Sequence, residues 1–300
     1  MLGVHVFEKR GPIEWEDEML AVNLLSILSW KKFHGPIHLY TNEEYLETLR
    51  KWGIDKFYDK IDTHTLKQIP DRLNQKDYWA FGKIHVAGEI SEPFVLIDTD
   101  LWLNGPLEFD NDYSFVAYHY ENFDIESKLN PYVDFDNFIP EKWIGRWNKD
   151  IMPVNTALLW FNNNVLKNEW IEIAKEIALQ PNQTSLEDRF GSKKMVLIEQ
   201  RILPMLAYER GLKYDTFIYH IYQSHLIGNR EGFEWDPPTR DWNEQERKDF
   251  SKIRHIWGAK KYFKFDKEFK RDVFDCILYD FEPFKEKEEF KKLLSKLIIE

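Results

Sequence analysis

Short apolar runs alternate with helix-period segments through the first hundred residues, and this pattern constrains the fold more than any other feature of the chain. Strands separated by helices return to the same end of a sheet before pairing, so the pattern predicts βαβ units and a largely parallel sheet flanked by helices, an α/β fold. Residues 4–7 (VHVF) read as a first strand, and residues 15–33 as an amphipathic helix that opens with acids and closes with lysines, as the helix dipole favours. The Gly35-Pro36 break precedes a second strand at 37–40, with Thr41 or Asn42 as the cap of the next helix. A third short strand is expected near Phe57-Tyr58, and residues 77–90 read as helical despite Gly82. Phe94-Val95-Leu96-Ile97 is the strongest strand in the sequence, and residues 154–161 (VNTALLWF) are another. Helices are expected at about 165–178 and 197–203, whereas 110–150 has weak periodicity and reads as loops or an acceptor-facing insertion.

Composition narrows the function classes. Acidic residues outnumber basic ones, 52 to 41, the wrong sign for a chain that neutralises many phosphates, so nucleic acid is not an expected partner. A single cysteine, Cys276, excludes an internal disulfide framework and a multi-cysteine zinc site. No run has the roughly 18 uncharged apolar residues of a membrane span. The N-terminus turns acidic where a signal peptide would be apolar, so a soluble, cytoplasmic protein is expected. The Phe- and Lys-rich stretch 262–300 reads as a charged amphipathic helix packed on the domain, with weak peripheral membrane contact as the competing reading. Twelve Trp and fourteen Tyr suit core packing first, and interfaces or flat polar ligands such as sugars second.

Asp98-Thr99-Asp100 directly follows the strongest strand. Ligands of open α/β sheets collect beyond the carboxyl ends of strands. In an extended segment residues i and i+2 face one side, so both carboxylates can meet one hard cation, a geometry suited to holding a diphosphate. A solvated turn is the competing reading; the apolar Leu101-Trp102-Leu103 that follows argues for the edge of a buried sheet. His255, polar within Ile253 to Gly258, is a candidate third ligand, against the alternative of a hydrogen-bonded core histidine. Gly258 permits close backbone approach, and Lys260 and Lys261 can meet phosphate as point charges. An imidazole beside two carboxylates favours Mn²⁺ over Mg²⁺.

Other motifs fail on particular residues. A Walker loop ending at Gly82-Lys83 needs Gly at 77 and Ser or Thr at 84, where Asp77 and Ile84 stand. No G-x-G-x-x-G or G-x-S-x-G occurs. A haloacid-dehalogenase phosphatase requires Thr or Val where Trp102 lies.

A strand followed by D-x-D, a central Asn-Thr strand, an acidic-Gln pair and a late His-x-x-Gly-x-Lys appear in that order. Together they resemble the GT-A nucleotide-sugar glycosyltransferases, in particular the glycogenin and bacterial lipopolysaccharide galactosyltransferase group. The resemblance covers about residues 1–262 as a catalytic domain, with 263–300 as a helical tail. It implies Mn²⁺ or Mg²⁺ on Asp98, Asp100 and His255, with Asp98 also touching the donor. It further implies diphosphate contacts from Gly258, Lys260 and Lys261, and a sugar pocket lined by Asn155 and Thr156. Glu199 and Gln200 match the pair at the anomeric carbon, with Glu where the family has Asp, and Lys83 matches a basic residue that reaches the donor; a solvated helix face is the alternative for Lys83. The implied reaction moves a hexose from a nucleotide diphosphate sugar, UDP-linked in the family, to a hydroxyl acceptor such as a glycan. A catalytically inactive binding protein of the same fold is the alternative.

Overall fold

The computed structural model describes residues 1–11, 16–121, 139–180, 193–221 and 252–255. The chain divides into two compact units. The first holds Met1–Thr63, Ile97–Glu108 and, of the later described residues, 252–255; the second holds His64–Leu96 and Phe109–Ile221. Among the described residues no helix is long and apolar enough to cross a membrane. The boundary expected at residue 262 and the tail after it lie outside the described residues.

In the first unit β1 (Leu2–Phe7) pairs in parallel with β2 (Ile37–Thr41), and β2 in parallel with β3 (Lys60–Asp62). The crossover between β1 and β2 is α1 (Glu16–Phe33), and α2 (Glu43–Trp52) follows β2. Asn42 caps α2 by accepting from the Tyr45 amide, and Gly53 ends it at φ 72°, a left-handed conformation that glycine adopts without strain. The third strand is displaced from its expected place: Asp55–Phe57 forms a 3₁₀ turn, and pairing starts at Lys60.

Helix α1 also departs from expectation, because it is buried on all sides from Leu20 to Trp30 rather than along one stripe. Its polar positions are small and uncharged, and they find partners inside. Ser29 accepts from the Leu103 amide at 3.0 Å and donates to the Ser26 carbonyl. His5 lies between the Tyr58 hydroxyl (2.8 Å from Nδ1) and the Ser26 hydroxyl (3.0 Å from Nε2), and Asn23 donates to Tyr58 at 2.9 Å. Close packing along the same interface requires glycine at position 3, where a Cβ would stand 2.5 Å from the Trp30 indole nitrogen. Gly3→Ala is expected to cost about 1–3 kcal/mol through overpacking, read as a lower urea midpoint with unchanged slope.

Burial lowers the His5 pKa to about 3, with the charge of Asp100 opposing the shift. A histidine buried neutral binds fewer protons folded than unfolded. Its contribution to stability is therefore intact above the unfolded value near 6.5 and declines as the pH falls from there toward 3, by ~1.36 kcal/mol per pH unit. Between pH 7 and 4.5 the wild type should lose about 2–3 kcal/mol more than His5→Gln in urea unfolding. Equal losses would show that His5 is not the titrating group.

The second unit carries the strand order β4 (Phe94–Ile97), β7 (Val154–Phe161), β6 (Phe115–Glu121), β8 (Asp215–Ile221). β6 runs antiparallel to β7 and parallel to β8. Its helices are α3 (Phe81–Glu89), α4 (Asn164–Ala178), α5 (Lys193–Val196) and α6 (Ile202–Glu209). β1–β2, β2–β3 and β6–β8 are parallel pairs within the main sheet, where β6–β7 is antiparallel, so the expected α/β class with mostly parallel strands flanked by helices is observed. Helix α3 starts at Phe81, four residues later than expected, because residues 75–80 form turns. β6 lies inside the stretch expected to be irregular. Its sequence, FVAYHYE, buries the polar His119 and Glu121 along with the apolar residues, which removes the alternation a half-exposed strand would show.

Candidate functional site

The carboxylates after β4 do converge, although not by strand alternation. The chain leaves β4 at Ile97 and turns through Asp98-Thr99-Asp100, closed by the Leu101 amide donating to the Asp98 carbonyl at 3.1 Å. It then enters β5 (Leu101–Leu103), which is buried throughout and pairs antiparallel with β9 (Ile253–His255). The register sets Leu101 opposite His255, Trp102 opposite Arg254 and Leu103 opposite Ile253, and the Asn104 amide extends the ladder by donating to the Lys252 carbonyl at 2.7 Å. This two-stranded ribbon carries a histidine from far down the chain to the acidic turn.

Nε2 of His255 lies 3.4 Å from Oδ1 of Asp100, with both side chains almost wholly buried. One ligand atom from each of Asp98, Asp100 and His255 falls within 4.8 Å of the others. A divalent ion with bonds of about 2.1–2.5 Å spans such separations, and two carboxylates with an imidazole form a donor set that fits a borderline ion. Behind the turn, β5 is tied to α1 by the Ser29 hydrogen bond, so the acids are carried by a buried frame.

The other expected residues that are described gather in the second unit. Lys83, on α3, places Nζ 2.6 Å from Oε1 of Glu199. The Thr156 hydroxyl, on β7, donates to the same oxygen at 2.7 Å. Glu199 and Gln200 lie on a π-helical turn, Leu197–Arg201, between α5 and α6; such turns inside helices occur frequently at functional sites. Side-chain hydrogen bonds hold that turn. Trp170 Nε1 donates to the Ile198 carbonyl at 2.7 Å, and the fully buried Arg201 donates to the Ile151 and Lys149 carbonyls, each at 2.7 Å.

Asn155, beside Thr156 on β7, donates to Oε1 of Glu121 at 2.8 Å and accepts from the Ala157 amide at 2.9 Å. Glu121, 3% exposed at the end of β6, is a buried acid that sequence reasoning missed; an acid closing a run of buried strand residues was the available signal. Trp102 is core, Trp79 is more than half exposed, and Gly258, Lys260, Lys261 and Trp257 lie outside the described residues.

The chain belongs to a family of unknown function, DUF6734, whose model matches residues 12–239. Asp98 and Asp100 fall within that stretch and His255 beyond it. No curated protein matches the sequence. Solved structures similar to the chain include an active-site mutant of LgtC, with 12% identity and a TM-score of 0.43 over 88% of this chain and 94% of that one. Mouse xyloside xylosyltransferase 1 in its apo form is similar at 12% identity and a TM-score of 0.39, covering 73% and 84% of the two chains. The galactosyltransferase LgtC in complex with donor and acceptor sugar analogs is similar at 14% identity and a TM-score of 0.35, covering 66% and 70%.

Proposed function

We propose that this member of DUF6734 is a metal-dependent glycosyltransferase of GT-A type, moving a hexose from a UDP-linked sugar to a hydroxyl acceptor in the cytoplasm. The observation that carries the reading is the convergence of Asp98, Asp100 and His255 within 4.8 Å, across more than 150 residues of sequence. The order of strand, D-x-D, Asn-Thr strand, acidic-Gln pair and late histidine supports it. Mn²⁺ is the preferred ion and Mg²⁺ the second, because imidazole lowers the preference for an all-oxygen shell.

A divalent ion held there would neutralise the negative charge that builds on the departing diphosphate. The chain's own residues do the rest. Asp98, Asp100 and His255 would hold that ion at the end of β4, and Gly258, Lys260 and Lys261 would add backbone approach and positive charge on the diphosphate. Glu199 and Gln200 act beside the anomeric carbon, where a carboxylate or amide oxygen favours the oxocarbenium-like sugar. Asn155 orients sugar hydroxyls.

With Mn²⁺ and a panel of nucleotide sugars, the protein should release UDP, faster when a glycan acceptor is present, and chelation should stop the release. Saturable nucleotide-sugar binding without release would favour a non-catalytic binding protein, and neither binding nor release would overturn both.

A further inference from the structure

Resting on the transferase reading for what Glu199 does, we propose that Lys83 and Thr156 are positioning residues for Glu199 rather than donor-binding groups. Both donate to Oε1 of Glu199, at 2.6 and 2.7 Å, from elements 116 and 43 residues away in sequence. The Lys83 and Glu199 side chains are only 12% and 5% exposed, so the pair is far less screened by water than exposed pairs such as Arg210 with Glu169. A buried ion pair is poor evidence of stabilisation by itself, since hydrophobic residues of similar volume often do as well. What it supplies is orientation. Here two donors select one oxygen of a carboxylate that stands on a π-helical turn, and Trp170 and Arg201 fix the backbone of that turn.

The consequence is an asymmetric carboxylate. Oε1 is committed to Lys83 and Thr156, and among the described residues no hydrogen bond is made to Oε2, which becomes the oxygen presented to the substrate. A misplacement of about 1 Å in such a group costs on the order of 10²-fold in rate. A donor-binding lysine would act on ground state and transition state alike and would be read in KM.

Steady-state kinetics of single and double variants separate the two roles. Lys83→Met should lower kcat about 10²-fold and Thr156→Val about 10-fold, with the donor KM within about twofold of wild type. Lys83→Arg should recover most of the loss. Lys83→Met added to Glu199→Gln should lower kcat no further than Glu199→Gln alone, because the groups act as one unit. A tenfold rise in KM at unchanged kcat, or additive losses in the double variant, would overturn the assignment.

A second readout does not need turnover. In protein carrying ¹³C-labelled glutamate, the Glu199 carboxyl resonance, identified by its loss in Glu199→Gln, should move in both Lys83→Met and Thr156→Val and return toward its wild-type position in Lys83→Arg. An unmoved resonance would overturn the positioning role. Absence of transfer by the wild type with this resonance moving as expected would instead sink the transferase reading alone. Lys83→Arg and Thr156→Val keep side-chain volume and serve if Lys83→Met does not fold.

Discussion

Asp100→Ala should abolish Mn²⁺-dependent stabilisation by UDP and reduce sugar transfer to background. Asp100 is almost wholly buried, and one of its oxygens lies 3.4 Å from His255. Truncating it removes one of the three candidate ligands and half of the carboxylate charge that the group offers a cation. Altering groups that only orient metal ligands costs 10–100-fold in affinity, so losing a ligand outright should cost at least ~100-fold. Nucleotide binding that depends on the ion falls with it, since a ligand that binds only the folded state raises the melting temperature according to its occupancy. The thermal-shift readout has three arms: UDP alone, Mn²⁺ alone, and both together. Wild type should respond most strongly to the combination and Asp100→Ala to none. A full UDP response in the variant would remove Asp100 from the site. His255→Gln should lie between the two, because two carboxylates remain.

Arg201→Met should be the most damaging single change away from the acidic turn. The guanidinium is fully buried and donates to the carbonyls of Lys149 and Ile151, tying the segment before β7 to the π-helical turn. Hydrogen bonds from a charged donor are worth about 1.5–3 kcal/mol each, and the abandoned carbonyls would stay desolvated. Methionine keeps much of the volume, so the loss is one of polar partners rather than of packing. A destabilisation of about 3–5 kcal/mol is expected, a fall in melting temperature of roughly 5–8 °C for a chain of this size. Because the same turn carries Glu199, kcat should fall even at temperatures where the variant remains folded. A variant with wild-type stability would mean that the two carbonyls find other partners.

Much of this was legible in the residues. The strand 94–97, the strand 154–161 and the helix near 165–178 are long or strongly apolar, and local pattern suffices for such elements. The D-x-D and His255 were identifiable as metal-ligand types at the edge of a strong strand. What local pattern could not supply was pairing. The β5–β9 ribbon joins three residues to three others 150 positions away, and no period within either segment encodes that register. The twist of Asp98-Thr99-Asp100 into a turn is likewise set by the entry into that ribbon, not by the alternation expected of a strand. β6 was missed because His119 and Glu121 are polar yet buried, and the uniform burial of α1 because Asn23, Ser26 and Ser29 look solvent-facing until their partners are known. Lys83 shows the same limit in the site: its chemistry suited a phosphate or sugar, and only the fold shows it against Glu199.

Pulsed electron paramagnetic resonance of Mn²⁺ bound to the full chain tests most directly whether Asp98, Asp100 and His255 hold one ion. Wild type should bind Mn²⁺ saturably with a nitrogen coupling from one directly bound imidazole, and that coupling should vanish in His255→Gln while weaker binding persists. Saturable binding with no imidazole coupling in the wild type, or a coupling that survives His255→Gln, would contradict the account.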